Sequence, residues 1–93
     1  MHQLIQDAIS QQLLLRFHYR DEDRVVEPHT AGVQKNGSEA FCGWQVDGGS
    51  GYNFRLYLYS EISNLETTSD HFDGPRPGYK QGDSRFAQIY AEL

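Results

Sequence analysis

The stretch RVVEPHTAGVQKNGSEAFCGWQV, Arg24 to Val46, decides the fold. Asn36-Gly37 stands between two strand-like runs, and both residues tolerate the positive φ of a tight hairpin turn. Before it, Arg24-Val25-Val26-Glu27 reads as one strand. Pro28 has no N–H for a sheet ladder and marks an edge or a bend, and His29 to Gln34 reads as a third stretch. After the turn, Glu39 to Val46 returns as a strand, with Ala40, Cys42, Trp44 and Val46 alternating with Phe41, Gly43 and Gln45. Both of its faces carry large groups, so its inward side stays open.

Working outward, the same two-residue rhythm recurs. Leu13, Leu15, Phe17 and Tyr19 alternate with Leu14, Arg16, His18 and Arg20, the pattern of a strand with one buried face. Asp21-Glu22-Asp23 is the polar turn that follows it. Asp47-Gly48-Gly49-Ser50-Gly51 reads as a flexible loop. Beyond it, Tyr52, Phe54, Leu56 and Leu58 alternate with Asn53, Arg55, Tyr57 and Tyr59, which sets the aliphatic residues and Phe54 inward. Ile62, Leu65 and Thr67 suggest one last strand. Upstream, Leu4, Ile5, Ala8, Ile9 and Leu13 recur at one, three and four, one apolar stripe on a helix over 4–12. Asp70 to Asp83 holds Pro75 and Pro77 among interleaved glycines and reads as extended and irregular, pinned by Phe72 and Tyr79. Asp83 or Ser84 is a candidate cap for a closing helix over 84–92, whose Phe86, Ile89, Tyr90 and Leu93 recur at three and four. The expected fold is mainly β with flanking helices, an α+β arrangement: a single domain over 1–93 whose small SH3-like or Sm-like barrel of about five strands occupies 13–67.

Composition narrows the function. The 93 residues carry a formal net charge of -5, which argues against non-specific binding to duplex nucleic acid while leaving room for a local basic patch. A lone Cys42 forms no internal disulfide, and His2, His18, His29 and His71 are too scattered for zinc spacing. Met1-His2-Gln3 lacks the basic region and apolar run of a signal peptide, and nothing approaches the roughly 20 apolar residues of a membrane span. The expectation is a soluble cytoplasmic domain without metal or cofactor.

Four segments in order carry a family resemblance: LIQDAISQQLLLRFHY (4–19), RVVEPHTAGVQKNGSEAFCGW (24–44), FRLYLYSEISNLETT (54–68) and HFDGPRPGY (71–79). Together they resemble the WYL-domain family. Two positions depart from it. Glu39-Ala40-Phe41 stands where the family's Trp-Tyr-Leu run falls, and only Phe54-Arg55-Leu56 remains of its Phe-Arg-Leu-Asp-Arg-Ile signature. The resemblance implies a barrel that senses a small anionic ligand or a nucleic-acid strand in bacterial regulators. Those regulators usually add a helix-turn-helix; none is read here, so the expectation is a stand-alone module.

The alternation nominates the site. With Leu15, Phe17 and Tyr19 inward, Arg16, His18 and Arg20 share the outer face of their strand. With Phe54, Leu56 and Leu58 inward, Arg55, Tyr57 and Tyr59 share the outer face of theirs. Arg55, Arg16, His18, Arg20, His29, Tyr57 and Arg76 are therefore the candidate ligand-binding residues. Guanidinium groups offer paired donors to phosphate or carboxylate, and tyrosine offers a stacking ring. The bland reading is that Arg16 and Arg20 pair with Glu27 or Glu61 across strands. Cys42 reads as packing, and no nucleophile elbow, phosphate-binding loop or acid–base pair is visible. The function read from the chain is a non-catalytic binding or regulatory module for a nucleotide-like anion or single-stranded nucleic acid. The alternative is a protein-interaction or self-assembly module, a homo-oligomer built on exposed strand edges.

Overall fold

A computed structural model describes residues 1–48 and 53–93. The Gly49–Gly51 part of the expected loop and Tyr52 lie outside the described residues. Helix α1 (His2–Gln11) buries Ile5, Ala8 and Ile9, the three- and four-residue stripe expected of it. Ten residues are marginal as an isolated helix, so this stripe holds the helix by docking on the sheet. Gln12 ends it in the left-handed region, at φ 56.

Strand β1 (Leu13–Tyr19) turns through Arg20 and Asp21, both at positive φ, into the long strand β2 (Glu22–Gln34). Two consecutive left-handed residues match the twist of a two-residue hairpin. Pro28 does not break β2 in two, as its missing N–H suggests. On one side β2 pairs with β1 only through Val26 and with β6 (Phe86–Glu92) only from Thr30, so Pro28 falls in the gap between two ladders. On the other side its pairing with β3 (Glu39–Asp47) jumps from Pro28–Gly43 to Thr30–Cys42, leaving His29 as a bulge.

The β2–β3 hairpin turns at Asn36-Gly37 as expected, with a different division of labour. Only Gly37 takes positive φ, while the Asn36 side-chain oxygen accepts the Ser38 amide at 2.9 Å. Strand β4 (Asn53–Leu58) follows β3, a short 3-10 turn over Tyr59–Glu61 follows β4, and β5 (Ile62–His71) returns to pair with β1. The order is β4-β3-β2-β1-β5, all antiparallel, with β6 on the second half of β2. Among the described residues the sheet is unclosed, because β4 and β5 are joined by the 3-10 turn and not by a ladder.

The closing helix expected over 84–92 is instead strand β6. Its register against β2 shifts twice, leaving Ala87 and Tyr90 as extra residues. The bulge at Ala87 brings Phe86 and Ile89, three apart, onto one apolar cluster, so a bulged strand imitates the helical spacing. The half of β2 past Thr30 needs a hydrogen-bonding partner, and β6 supplies it. The approach is close: a side chain on Gly32 would collide with the Gln88 carbonyl.

The inward side of β4 is also the reverse of the expectation. Tyr57 and Tyr59 enter the main core with Ile5, Ile9, Leu15, Phe17, Tyr19, Val26 and Phe41. Leu56 and Leu58 pack instead on a shallower cluster of Ala40, Cys42, Phe86 and Ile89 on the opposite face. Here both faces of the sheet are covered, so alternation alone does not choose between them. The Phe17 ring meets Phe41 at 5.6 Å and Tyr57 at 5.0 Å, edge to face, the preferred aromatic geometry. Tyr57 donates to Gln45 Oε1 at 2.8 Å, and Arg24 donates to the same oxygen at 3.0 Å. Burial pushes the Tyr57 hydroxyl up to about 12.

Candidate ligand-binding cleft

Residues 72–85 form a strap without regular structure, stiffened by Pro75 and Pro77, that crosses the outer face of β2, β3 and β4. It starts at the left-handed joint after α1. The Gln12 carbonyl accepts the Phe72 amide at 2.9 Å, and the Gln12 side chain donates to the Phe72 carbonyl at 2.8 Å. Phe72 and Tyr79 pin the strap, as expected. Phe72 stacks on His29 at 5.7 Å, Tyr79 meets the same ring edge-on at 5.1 Å, and Thr30 donates to the Tyr79 hydroxyl at 3.2 Å. Between these pins, Arg76 grips Glu27 through two bonds of 2.8 and 2.9 Å and lies over the Trp44 ring.

Between the strap and the sheet lies a cleft of about 480 Å³. His29, Thr30, Cys42, Phe54 and Leu56 line the sheet side, and 78–85 lines the other. Its charged residues are Arg55, Lys80, Arg85 and Asp83, a local cation excess in a chain of net charge -5. Arg85 donates to Asp83 at 2.6 Å and to the Cys42 sulfur at 3.0 Å. That guanidinium holds the Asp83 carboxyl below its ordinary range. Burial pushes the Cys42 thiol up to about 12, so it stays protonated and weakly nucleophilic at neutral pH. Arg55 differs from its neighbours. It is half-buried, and its Nε is shielded from water without a hydrogen-bond partner, a state it shares among the described residues with Trp44 Nε1 and the Tyr59 hydroxyl. A second hollow of about 510 Å³, at the first part of the strap, has the opposite character, lined by Glu27, Asp70 and Asp73 with Arg76 and His71.

The structure does not bring the seven candidate residues together. Arg16 pairs with Glu66 at 3.0 Å, His18 with Asp23 at 3.0 Å, and Arg20 with both oxygens of Glu61 at 2.9 and 3.1 Å. All three lie on β1 or its turn, with β2 and β3 between them and the Arg55 strand. Tyr57 is a core ring, 1% exposed, because β4 turns that side inward. His29 is fully buried at the bulge, with both ring nitrogens engaged. Arg76 is bound to Glu27, and both line the second hollow and not the cleft. Of the seven, Arg55 and His29 line the cleft. Lys80 and Arg85 join them, and sequence reasoning missed both. Arg85 was absorbed into the expected closing helix, and Lys80 into a segment read as a passive strap. The signal that finds them is the placement of two cations within the same Pro- and Gly-rich segment that Tyr79 anchors.

Among the described residues, no helix is long and apolar enough to cross a membrane. Compared with known proteins, the chain matches no family model, no curated protein and no solved structure.

Proposed function

We propose that the chain is a non-catalytic binding module, working in the cytoplasm, whose cleft takes a small anion with an apolar or planar part. A nucleotide, or the end of a single-stranded nucleic acid, has this chemistry. The observation that carries the reading is Arg55: a guanidinium lining a cation-rich cleft, with a shielded N–H that nothing in the described protein accepts. An unsatisfied buried donor costs about 1–3 kcal/mol, and a bound phosphate or carboxylate oxygen removes that cost. Phe54 and Tyr79 line the same space and offer rings to a planar group. The resemblance to WYL domains, and the bent Sm-like barrel it implies, point to the same ligand class, with Arg55 as the matching position.

The test is binding of AMP and of a labelled short oligothymidine, read by fluorescence anisotropy or calorimetry. Arg55→Ala weakens binding about ten- to a hundredfold, the range for a charge-assisted hydrogen bond of about 1.5–3 kcal/mol, and leaves the melting temperature unchanged or raised. Equal binding by wild type and variant defeats the reading.

A second reading, self-assembly, is favoured by β5. Among the described residues this ten-residue strand pairs only with β1, and it is exposed over most of its length, leaving one edge open to a second copy. Light scattering at high concentration decides it, and a strict monomer removes it.

A further inference from the structure

The bulge at His29 aims a histidine ring at the strap from beneath. The ring is sandwiched: Phe72 stacks on it with only 13° between planes, and Phe54 and Tyr79 meet it edge-on at 5.3 and 5.1 Å. Its hydrogen bonds fix one tautomer. Nε2 accepts the backbone N–H of Arg76 at 3.1 Å, so it carries no proton, and Nδ1 lies 2.8 Å from the Glu27 carbonyl, to which it donates. The His29 carbonyl also accepts the Leu93 amide at 2.9 Å, so the strap and the end of β6 converge on this one residue.

A second proton on the ring goes to Nε2. There it faces the Arg76 N–H, a donor against a donor, and the backbone bond that seats the middle of the strap is lost, while the Arg76 side chain keeps its hold on Glu27. We propose that His29 is a proton-operated latch: acidification breaks the bond between its ring and the Arg76 amide and loosens the strap there, next to the part of the strap that lines the cleft. The consequence for binding rests on the reading of the cleft as an anion site; the loosening of the strap does not.

The groups around the ring set how hard it is to protonate. Burial opposes the charge most strongly, the Glu27 carboxylate on the same strand favours it, and Arg76 on the strap opposes it. Tyr79 and Cys42, on the strap and β3, carry neutral hydroxyl and thiol groups at neutral pH. Arg55 on β4, with Lys80 and Arg85 across the cleft, adds positive charge, and Asp83 is matched by Arg85. Glu27 does not provide an easy new acceptor, because both its oxygens already hold Arg76. The balance lowers the His29 affinity for protons relative to a free imidazole.

The experiment is a pH titration by NMR on the intact chain. Ring nitrogen shifts report the protonation of His29, and hydrogen exchange of individual amides reports the strap. As His29 protonates, the Arg76 amide is expected to lose at least tenfold of its protection while Phe17 and Phe41 in the core keep theirs. His29→Gln, whose side-chain carbonyl accepts a hydrogen bond without titrating, is expected to keep the strap closed over the same range. Oligothymidine, whose phosphodiesters do not titrate there, is expected to bind less tightly as wild-type His29 protonates. An Arg76 amide that stays protected while the ring titrates overturns the latch. So does a ring that remains neutral until the whole sheet unfolds, which makes it a structural histidine only; both are wild-type measurements and stand if the variant does not fold. Oligothymidine that binds at no pH overturns the ligand reading, and the Arg76 exchange then decides the latch alone.

Discussion

On β1 the side chains of Arg16, His18 and Arg20 stand in water, each against one carboxylate at 2.9–3.0 Å. On the other side of the molecule the strap brings Arg76, Asp83 and Arg85 over His29, Glu27 and Arg55 of the sheet, a histidine, three arginines and two carboxylates in all. The residue types are nearly the same; their surroundings are not. The side chains of Arg16 and Glu66 are 56% and 59% exposed, so water competes for both ends of that pair. The Glu27 side chain is 6% exposed and His29 is not exposed at all, so each hydrogen bond there replaces one that water no longer offers. A row of charges on an outer strand face is therefore weak evidence for a site. The same charges under a strap give a place where partners are few and titration has structural consequences.

The comparison of the two histidines breaks most sharply by truncation. His29→Ala removes a fully buried ring, empties the contact of Phe72, Phe54 and Tyr79, and removes the ring acceptor of the Arg76 amide. Its expected cost is about 2–4 kcal/mol, by analogy with other large buried side chains. At roughly 4–8 °C per kcal/mol for a domain of this size, that is a large drop in melting temperature. His18→Ala removes a half-exposed ring and one pair with an exposed Asp23, and is expected to change stability by no more than about 0.5 kcal/mol. Thermal denaturation of the two variants side by side checks this; equal effects would mean that the strap contributes nothing to the fold.

The same contrast explains how much was legible in the chain. The α1 stripe, the β1 alternation and the Asn36-Gly37 turn rest on local spacing, and each forms where its residues call for it. Three features depend on what lies across the fold. Phe86 and Ile89 share a face only because pairing with β2 leaves a bulge at Ala87 between them. Tyr57 turns inward only because its strand is covered on both sides, by the main core and by the shallower cluster. Glu66 meets Arg16 only because β5 returns beside β1, with register shifts that no run of residues announces, whereas the Arg20–Glu61 pair is one the bland reading of the sequence offered. Candidate cations are thus visible as residues, and register decides which of the possible carboxylates each one meets. Arg55 survives as a candidate because no described carboxylate reaches its shielded nitrogen.

A smaller effect follows from pH. Burial lowers the His29 pKa below its ordinary 6.5, so between the two values the unfolded chain binds more protons than the folded one. Stability then rises with pH through this window. The contribution is fully present above pH 6.5 and is lost progressively as pH falls below it. Carboxylates act lower on the scale: Asp83, held down by Arg85, and Glu61, held down by Arg20, contribute above their ordinary 3.8 and 4.5 and lose that contribution on further acidification. Chemical denaturation at a series of pH values is expected to show two steps, the upper one absent in His29→Gln. An unchanged upper step in that variant assigns it to another group.

The smallest effect belongs to the face that looked most like a site. Arg16 and Glu66 face each other across the β1–β5 ladder, in register and joined at 3.0 Å, so geometry favours the pair. Both side chains are mobile in water, and fixing them costs conformational entropy that offsets much of the attraction. A double-mutant cycle of Arg16→Ala and Glu66→Ala is expected to give a coupling of about 0.2–1 kcal/mol at low salt. Raising ionic strength to 1 M shortens the screening length to about 3 Å, comparable to the separation itself, and is expected to remove most of that coupling. Oligothymidine binding is expected to be the same in Arg16→Ala as in wild type, since Arg16 lies on β1 and outside the cleft under the strap. A loss of binding in Arg16→Ala equal to that in Arg55→Ala would move the recognition surface to the outer face of β1 and reverse the assignment of the two regions.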